Sequence, residues 1–122
     1  MGEAFSITAR LASFRHALRG LLTLLREQHN SRIHLLATVL VLALALVLEV
    51  SRLDWVVLLV AIALVWLAEA LNTALEYVCD AVMPDAHPLI GKAKDVAAAG
   101  VLVCAVVAAA LGLLVFLPYL VA

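Results

Sequence analysis

Charge is scarce in this chain: Asp, Glu, Lys and Arg make up 14% of its 122 residues, against 67% hydrophobic residues. A soluble domain of this length cannot hide so much apolar surface from water, so a single water-soluble core is excluded. The stretches 33–48, 55–68 and 96–122 contain no Asp, Glu, Lys or Arg at all. A bilayer core of about 30 Å is crossed by roughly 20 mostly apolar helical residues. Short alternating strands are missing, which excludes a membrane barrel. Proline occurs at three positions, Pro84, Pro88 and Pro118, leaving long windows with no helix breaker. The two cysteines, Cys79 and Cys104, form no C-x-x-C pair and are read as reduced packing residues. No G-x-x-x-x-G-K-[ST] loop occurs, so any nucleotide is held by other means. An apolar leader with a small-residue cleavage site is also missing, and the N-terminus is expected to be retained. With a net charge of -1, no nucleic-acid partner is expected.

What is present reads as an all-α integral membrane protein of one domain, residues 1–122, without internal repeats or linkers. From about 6 to 30, Leu11, Phe14, Leu18, Leu21, Leu22 and Leu25 share one side of a helix, with Arg10, Arg15, Arg19 and Arg26 on others. Such a helix suits the membrane surface, where leucines enter the headgroup boundary and arginines meet phosphates. Three membrane helices follow, over about 31–50, 55–83 and 89–116. Asp54 is expected to cap the second and Trp55 to anchor it at the interface. Pro84 and Pro88 bracket the loop before the third. Five of the eight basic residues precede the apolar run that starts at Ile33, and Lys92 and Lys94 lie in the 80–95 segment. The positive-inside tendency therefore puts the N-terminus and that segment in the cytoplasm and the C-terminus outside, as in a plasma or bacterial inner membrane.

The second membrane helix carries Glu69, Asn72, Glu76 and Asp80. At about 100° per residue these four fall within a band about 80° wide, and Glu69 lies about 16 Å deeper than Asp80. Ionisable groups at membrane depth are costly and mark function by default. A polar stripe can simply glue helices together, but one amide would suffice for that, whereas several carboxylates repel unless a cation or a proton neutralises them. Mg²⁺ takes oxygen ligands and is often shared with phosphates. Lys92, Lys94 and Asp95 open the next helix, with His87 just before them, so ammonium groups stand where phosphates would arrive.

The run Glu69-Ala-Leu-Asn72-Thr-Ala-Leu-Glu76-Tyr-Val-Cys-Asp80, with His87-Pro88 and Lys92-Ala-Lys94-Asp95 downstream, resembles the prokaryotic diacylglycerol kinase and undecaprenol kinase family. The likeness extends from about Phe14 to the end of the third membrane helix. It implies a homotrimer with active sites shared between protomers, and a lipid kinase that uses Mg²⁺ and ATP. It implies Glu69 as the base for the lipid hydroxyl, Asn72 as the group that orients the reactants, and Glu76 as a metal ligand. Asp80, Asp85, Ala86, His87, Lys94 and Asp95 would contact the nucleotide or support those contacts, with Arg10 and His16 as further candidates. Undecaprenol is favoured as acceptor over diacylglycerol, on the Arg32-Ile33-His34 and His87-Pro88-Leu89 features.

One position departs from the family pattern. A second metal carboxylate is expected two residues before Asn30 in Asn30-Ser-Arg32-Ile-His34, and Gln28 stands there. Glu27 offers a carboxylate but is rotated by about 100° around a helix. Outside enzymology, the stripe could serve a cation path, which leaves Lys94, Asp95 and His87 without a role, or a packing scaffold with no chemistry.

Overall fold

The structure is a computed structural model and describes residues 4–122. Four helices follow in order: α1 over Ile7–Glu27, α2 over His29–Val47, α3 over Arg52–Val82 and α4 over Pro88–Val121. Helices α2, α3 and α4 are each long and apolar enough to cross a membrane. Three crossings put the α1–α2 junction and the α3–α4 loop at one end of the bundle, and the α2–α3 turn and the end of α4 at the other. With 31 residues, α3 is about 46 Å long, well beyond a hydrocarbon core of about 30 Å.

Helix α1 begins where the Ser6 hydroxyl accepts from the Ala9 amide at 3.3 Å, a side-chain N-cap. It presents Phe14, Leu18 and Leu21 outward and buries only Leu24. It stops earlier than residue 30 because Gln28 is extended, with φ -113° and ψ 115°. No loop follows, and α2 restarts at His29. The break strands the last carbonyls of α1, and the Arg32 guanidinium supplies donors to two of them, Leu25 O at 2.9 Å and Arg26 O at 2.6 Å. A cation at a helix C-terminus also complements the macrodipole.

Helix α2 ends in a Schellman turn. Glu49 takes the left-handed conformation with φ 52°, the Val50 amide reaches back to Ala45 O at 3.3 Å, and the Glu49 amide to Leu46 O at 3.3 Å. Val50 and Ala45 are buried together with Leu58, Val115 and Phe116 in a core at this end of the bundle. The N-cap of α3 is Ser51 rather than Asp54: the Ser51 hydroxyl accepts from the Asp54 amide at 3.2 Å. Asp54 instead accepts from the Tyr119 hydroxyl at 2.5 Å, and that oxygen accepts from the Ser51 amide at 3.0 Å. The last turn of α4 is thereby tied to the first turn of α3, and the two helices run antiparallel. This tie also accounts for α4 passing Pro118 and continuing to Val121. Proline so near a helix end forfeits only one hydrogen bond, and the Tyr119 contact holds the turn in place.

Tyr119→Phe removes one hydroxyl that serves two partners, one of them charged. Detergent-solubilised protein carrying it should lose about 2 kcal/mol of stability, read as a lowered thermal midpoint with kinase activity retained below that midpoint. An unchanged midpoint would remove this contact as an anchor of the bundle.

Candidate active site

The opposite end of the bundle is built from polar groups. Glu69, in the apolar part of α3, is only 1% exposed. Its Oε2 lies 3.5 Å from Nε2 of His34 on α2, too long and poorly aligned for a hydrogen bond. Among the described residues both atoms are buried without a hydrogen-bond partner, as are Ser31 Oγ, Asn72 Oδ1 and Thr73 Oγ1. Ser31 and His34 lie one turn apart on α2, and Glu69, Asn72 and Thr73 span one turn of α3. A buried donor or acceptor left unpaired costs about 1–3 kcal/mol. Native structures keep few such groups, and each calls for an explanation. Here the unpaired atoms share one region, as they would around a polar ligand group.

The stripe continues toward the α3–α4 loop with Glu76 half-buried and Asp80 exposed. Asp80 accepts from Lys94 Nζ at 2.7 Å, which joins the end of α3 to the start of α4. Both side chains are solvated, so this pair adds little to stability and leaves Lys94 available to a stronger anion. Asp85, Ala86, His87 and Lys94 line one hollow of about 220 Å³ together with Met83, Pro84, Ile90 and Gly91. His87 also caps α4, its Nδ1 accepting from the Leu89 amide at 3.1 Å. Asp95 is exposed and lies outside that lining. Among the described residues the side chains of Arg10 and His16 form no hydrogen bond or ion pair, and the fold of one chain does not join them to the stripe.

At the α1–α2 junction Glu27 accepts a hydrogen bond from the Tyr77 hydroxyl. The Gln28 side chain lies beside the same hydroxyl, and Glu76 is within its electrostatic reach. The junction therefore faces α3 at the level of Glu76. Among the described residues no three His, Cys, Asp or Glu side chains converge as a metal cage. Sequence reasoning named neither Tyr77 nor Ser31 as a site residue, and His34 entered it only within the Arg32-Ile33-His34 feature that favoured undecaprenol. A tyrosine directly after Glu76, in a segment already rich in polar groups, was the available signal for the first. Serine and histidine one turn apart at the start of a membrane helix were the signal for the others.

Between α2, α3 and α4 runs an apolar cavity of about 340 Å³, bordered by Ile33 and His34 at one end and by Leu58 and Gly112 toward the other. An alkyl or isoprenoid chain suits such a lining, whereas a nucleotide does not.

Comparison with known proteins places the chain among membrane lipid kinases. The model of the family described as prokaryotic diacylglycerol kinase matches residues 15–116. The chain is 39% identical over 108 residues to the undecaprenol kinase of Bacillus subtilis, covering 88% of each protein. It is 38% identical over 109 residues to the diacylglycerol kinase of Synechocystis sp., covering 88% of this chain and 62% of that one. It is 38% identical over 72 residues to the diacylglycerol kinase of Escherichia coli K12, covering 59% of each. A buried carboxylate among unpaired polar atoms, three helices able to span a bilayer and these matches lead to one conclusion: the chain belongs to the prokaryotic diacylglycerol kinase family and is a membrane lipid kinase.

Proposed function

We propose that this kinase transfers the γ-phosphate of ATP to the hydroxyl of undecaprenol, with Glu69 as the general base. The observation that carries the chemistry is the buried Glu69 carboxylate with an unpaired oxygen beside other unpaired polar atoms. The choice of acceptor is supported by similarity to an undecaprenol kinase over 88% of both chains. Diacylglycerol is the alternative acceptor, since relatives of that name share 38% identity.

In the proposed reaction a Glu69 oxygen accepts the proton of the lipid hydroxyl as the alcohol oxygen forms its bond to the γ-phosphorus. The bond to the β,γ-bridging oxygen breaks, leaving ADP and the lipid phosphate. Asn72, one turn along the same face, orients the hydroxyl through its side-chain amide. Lys94 exchanges its solvated partner Asp80 for phosphate oxygens, while Asp85, Ala86 and His87 border the hollow that receives the nucleotide. Phosphoryl transfer depends chiefly on positioning and charge neutralisation, which these groups supply.

The carboxylates facing the α1–α2 junction are hard oxygen donors and few in number, which fits Mg²⁺, an ion that keeps water and phosphate oxygens in its remaining positions. Glu76 would hold it, with Glu27 or the Gln28 carbonyl oxygen opposite; when bound it would neutralise charge on the phosphates. A homotrimer with shared sites is proposed on two grounds: the single chain leaves Arg10 and His16 apart from the stripe, and it exposes many large apolar side chains, among them Leu36, Leu40 and Leu114. The α1–α2 junction and the α3–α4 loop would face the cytoplasm, where ATP is found, and the C-terminus the outside of the bacterial inner membrane.

Three measurements test this reading. Glu69→Gln keeps the shape of the side chain and should lower kcat by about 100-fold or more with the KM for ATP little changed; retained turnover would remove Glu69 as base. Purified protein offered undecaprenol and diacylglycerol with labelled ATP should phosphorylate undecaprenol faster, and exclusive labelling of diacylglycerol would reverse that order. Gln28→Glu adds a carboxylate facing Glu76 and should shift the Mg²⁺ titration of activity to lower concentration. Coincident titration curves would take position 28 out of the metal site.

A further inference from the structure

We propose that His34 is a positioning residue for Glu69: its Nε2–H holds one carboxylate oxygen so that the other faces the lipid hydroxyl. The inference rests on Glu69 being the base. The observation behind it is the approach of His34 Nε2 to Glu69 Oε2 at 3.5 Å, with neither atom hydrogen-bonded to anything else among the described residues. A shortening of about 0.6 Å brings the pair to the usual length of a hydrogen bond to a carboxylate.

The backbone that carries the imidazole is tied to α3. The Trp66 indole N–H donates to Thr38 Oγ1 at 3.0 Å, and the Thr38 hydroxyl donates to the His34 carbonyl at 2.7 Å. Every donor in this chain is used, and its direction is fixed because the indole nitrogen can only donate. The Trp66 ring also meets the imidazole edge-on, with centroids 6.3 Å apart and an interplanar angle of 65°. Trp66 precedes Glu69 by three residues, so both lie on the same face of α3 and flank the His34 ring.

His34 further occupies one end of the apolar cavity between α2, α3 and α4, and it is the only titratable side chain in that lining. A lipid chain lying there would deliver its hydroxyl to the end where the imidazole and Glu69 meet. A carboxylate in an apolar pocket can rotate about its side-chain torsions, and only some orientations leave an oxygen toward that end. A donor fixed on α2 selects one of them. The same N–H continues to serve after the reaction, since a protonated Glu69 still offers its carbonyl oxygen as an acceptor.

The experiment compares His34→Gln, whose amide N–H₂ can replace the Nε2 donor, with His34→Leu, which fills the site without one. His34→Leu should lower kcat roughly tenfold to a hundredfold with the KM for ATP unchanged, and His34→Gln should restore most of the loss. In a Glu69→Gln background, His34→Leu should have little further effect, because a residue that acts through Glu69 has nothing left to position. Wild-type turnover in His34→Leu would overturn the proposal, and so would equal losses in the Leu and Gln variants or an undiminished effect in the Glu69→Gln background. If His34→Leu fails to assemble, His34→Asn serves in its place: it is polar but too short to reach Glu69, and should lose turnover as the Leu variant would, while full activity would overturn the proposal. Glu69→Gln alone separates the two ideas, since activity retained there removes the base itself, whereas activity lost there but kept in His34→Leu removes only the role of His34.

Discussion

A carboxylate inside an apolar helix bundle must be compensated by a partner, by water or by a proton, because an isolated charge in a medium of low dielectric is strongly disfavoured. Glu69 meets that constraint only in part. It is almost fully enclosed, and the nearest cationic candidate, His34, stands just beyond bonding distance. Other unpaired atoms of the region, Ser31 Oγ and Thr73 Oγ1, sit on the facing turns of α2 and α3. The enclosure works only while α2 and α3 keep their register, so the rest of the fold can be understood as the means of holding these two helices together.

That work is done at the far end. Val50 and Ala45 of the Schellman turn pack against Leu58 of α3 and Val115 and Phe116 of α4, and Tyr119 ties α4 to the cap of α3. Closing one end with an apolar core and a bonded turn fixes the helix register through rigid elements, without requiring the polar end to bond to itself. The left-handed Glu49 is part of the cost, of order 1 kcal/mol for a residue with a Cβ. A bundle that paired all its own polar atoms at both ends would be more stable, but the proposed base Glu69 would then have no free oxygen for a hydroxyl proton.

The parts of the fold visible in the amino-acid order are those that depend on periodicity and composition. Three long apolar stretches appear as α2, α3 and α4, and Pro84 and Pro88 delimit the one long loop. The spacing of 69, 72, 76 and 80 places those residues on one face because helical rotation is a local property. Long-range contacts stayed hidden. Asp54 has the chemistry of an N-cap, and nothing near it indicates that Ser51 takes that position because Tyr119, 65 residues away, occupies the Asp54 carboxylate. Pro118 reads as a stop, and α4 continues because that same tyrosine holds the turn. The break at Gln28 is equally silent, since glutamine is a good helix former and the two donors that compensate the break come from Arg32.

The α1–α2 junction is where these threads meet. A continuous helix through residue 28 would keep Glu27 and Gln28 about 100° apart, so only one could face α3. Because Gln28 is extended and Arg32 closes the end of α1, the chain turns sharply and both side chains gather at the Tyr77 hydroxyl, beside Glu76. Two carboxylates approaching a third would repel one another in the absence of a cation. A neutral amide at 28 and a phenolic donor on Glu27 lower that repulsion, so the junction can hold its shape without an ion. A glutamine at 28 also leaves fewer charged oxygens there than a glutamate would. Under the proposed Mg²⁺ role, an amide at position 28 therefore trades a charged ligand for lower repulsion beside Glu27 and Glu76.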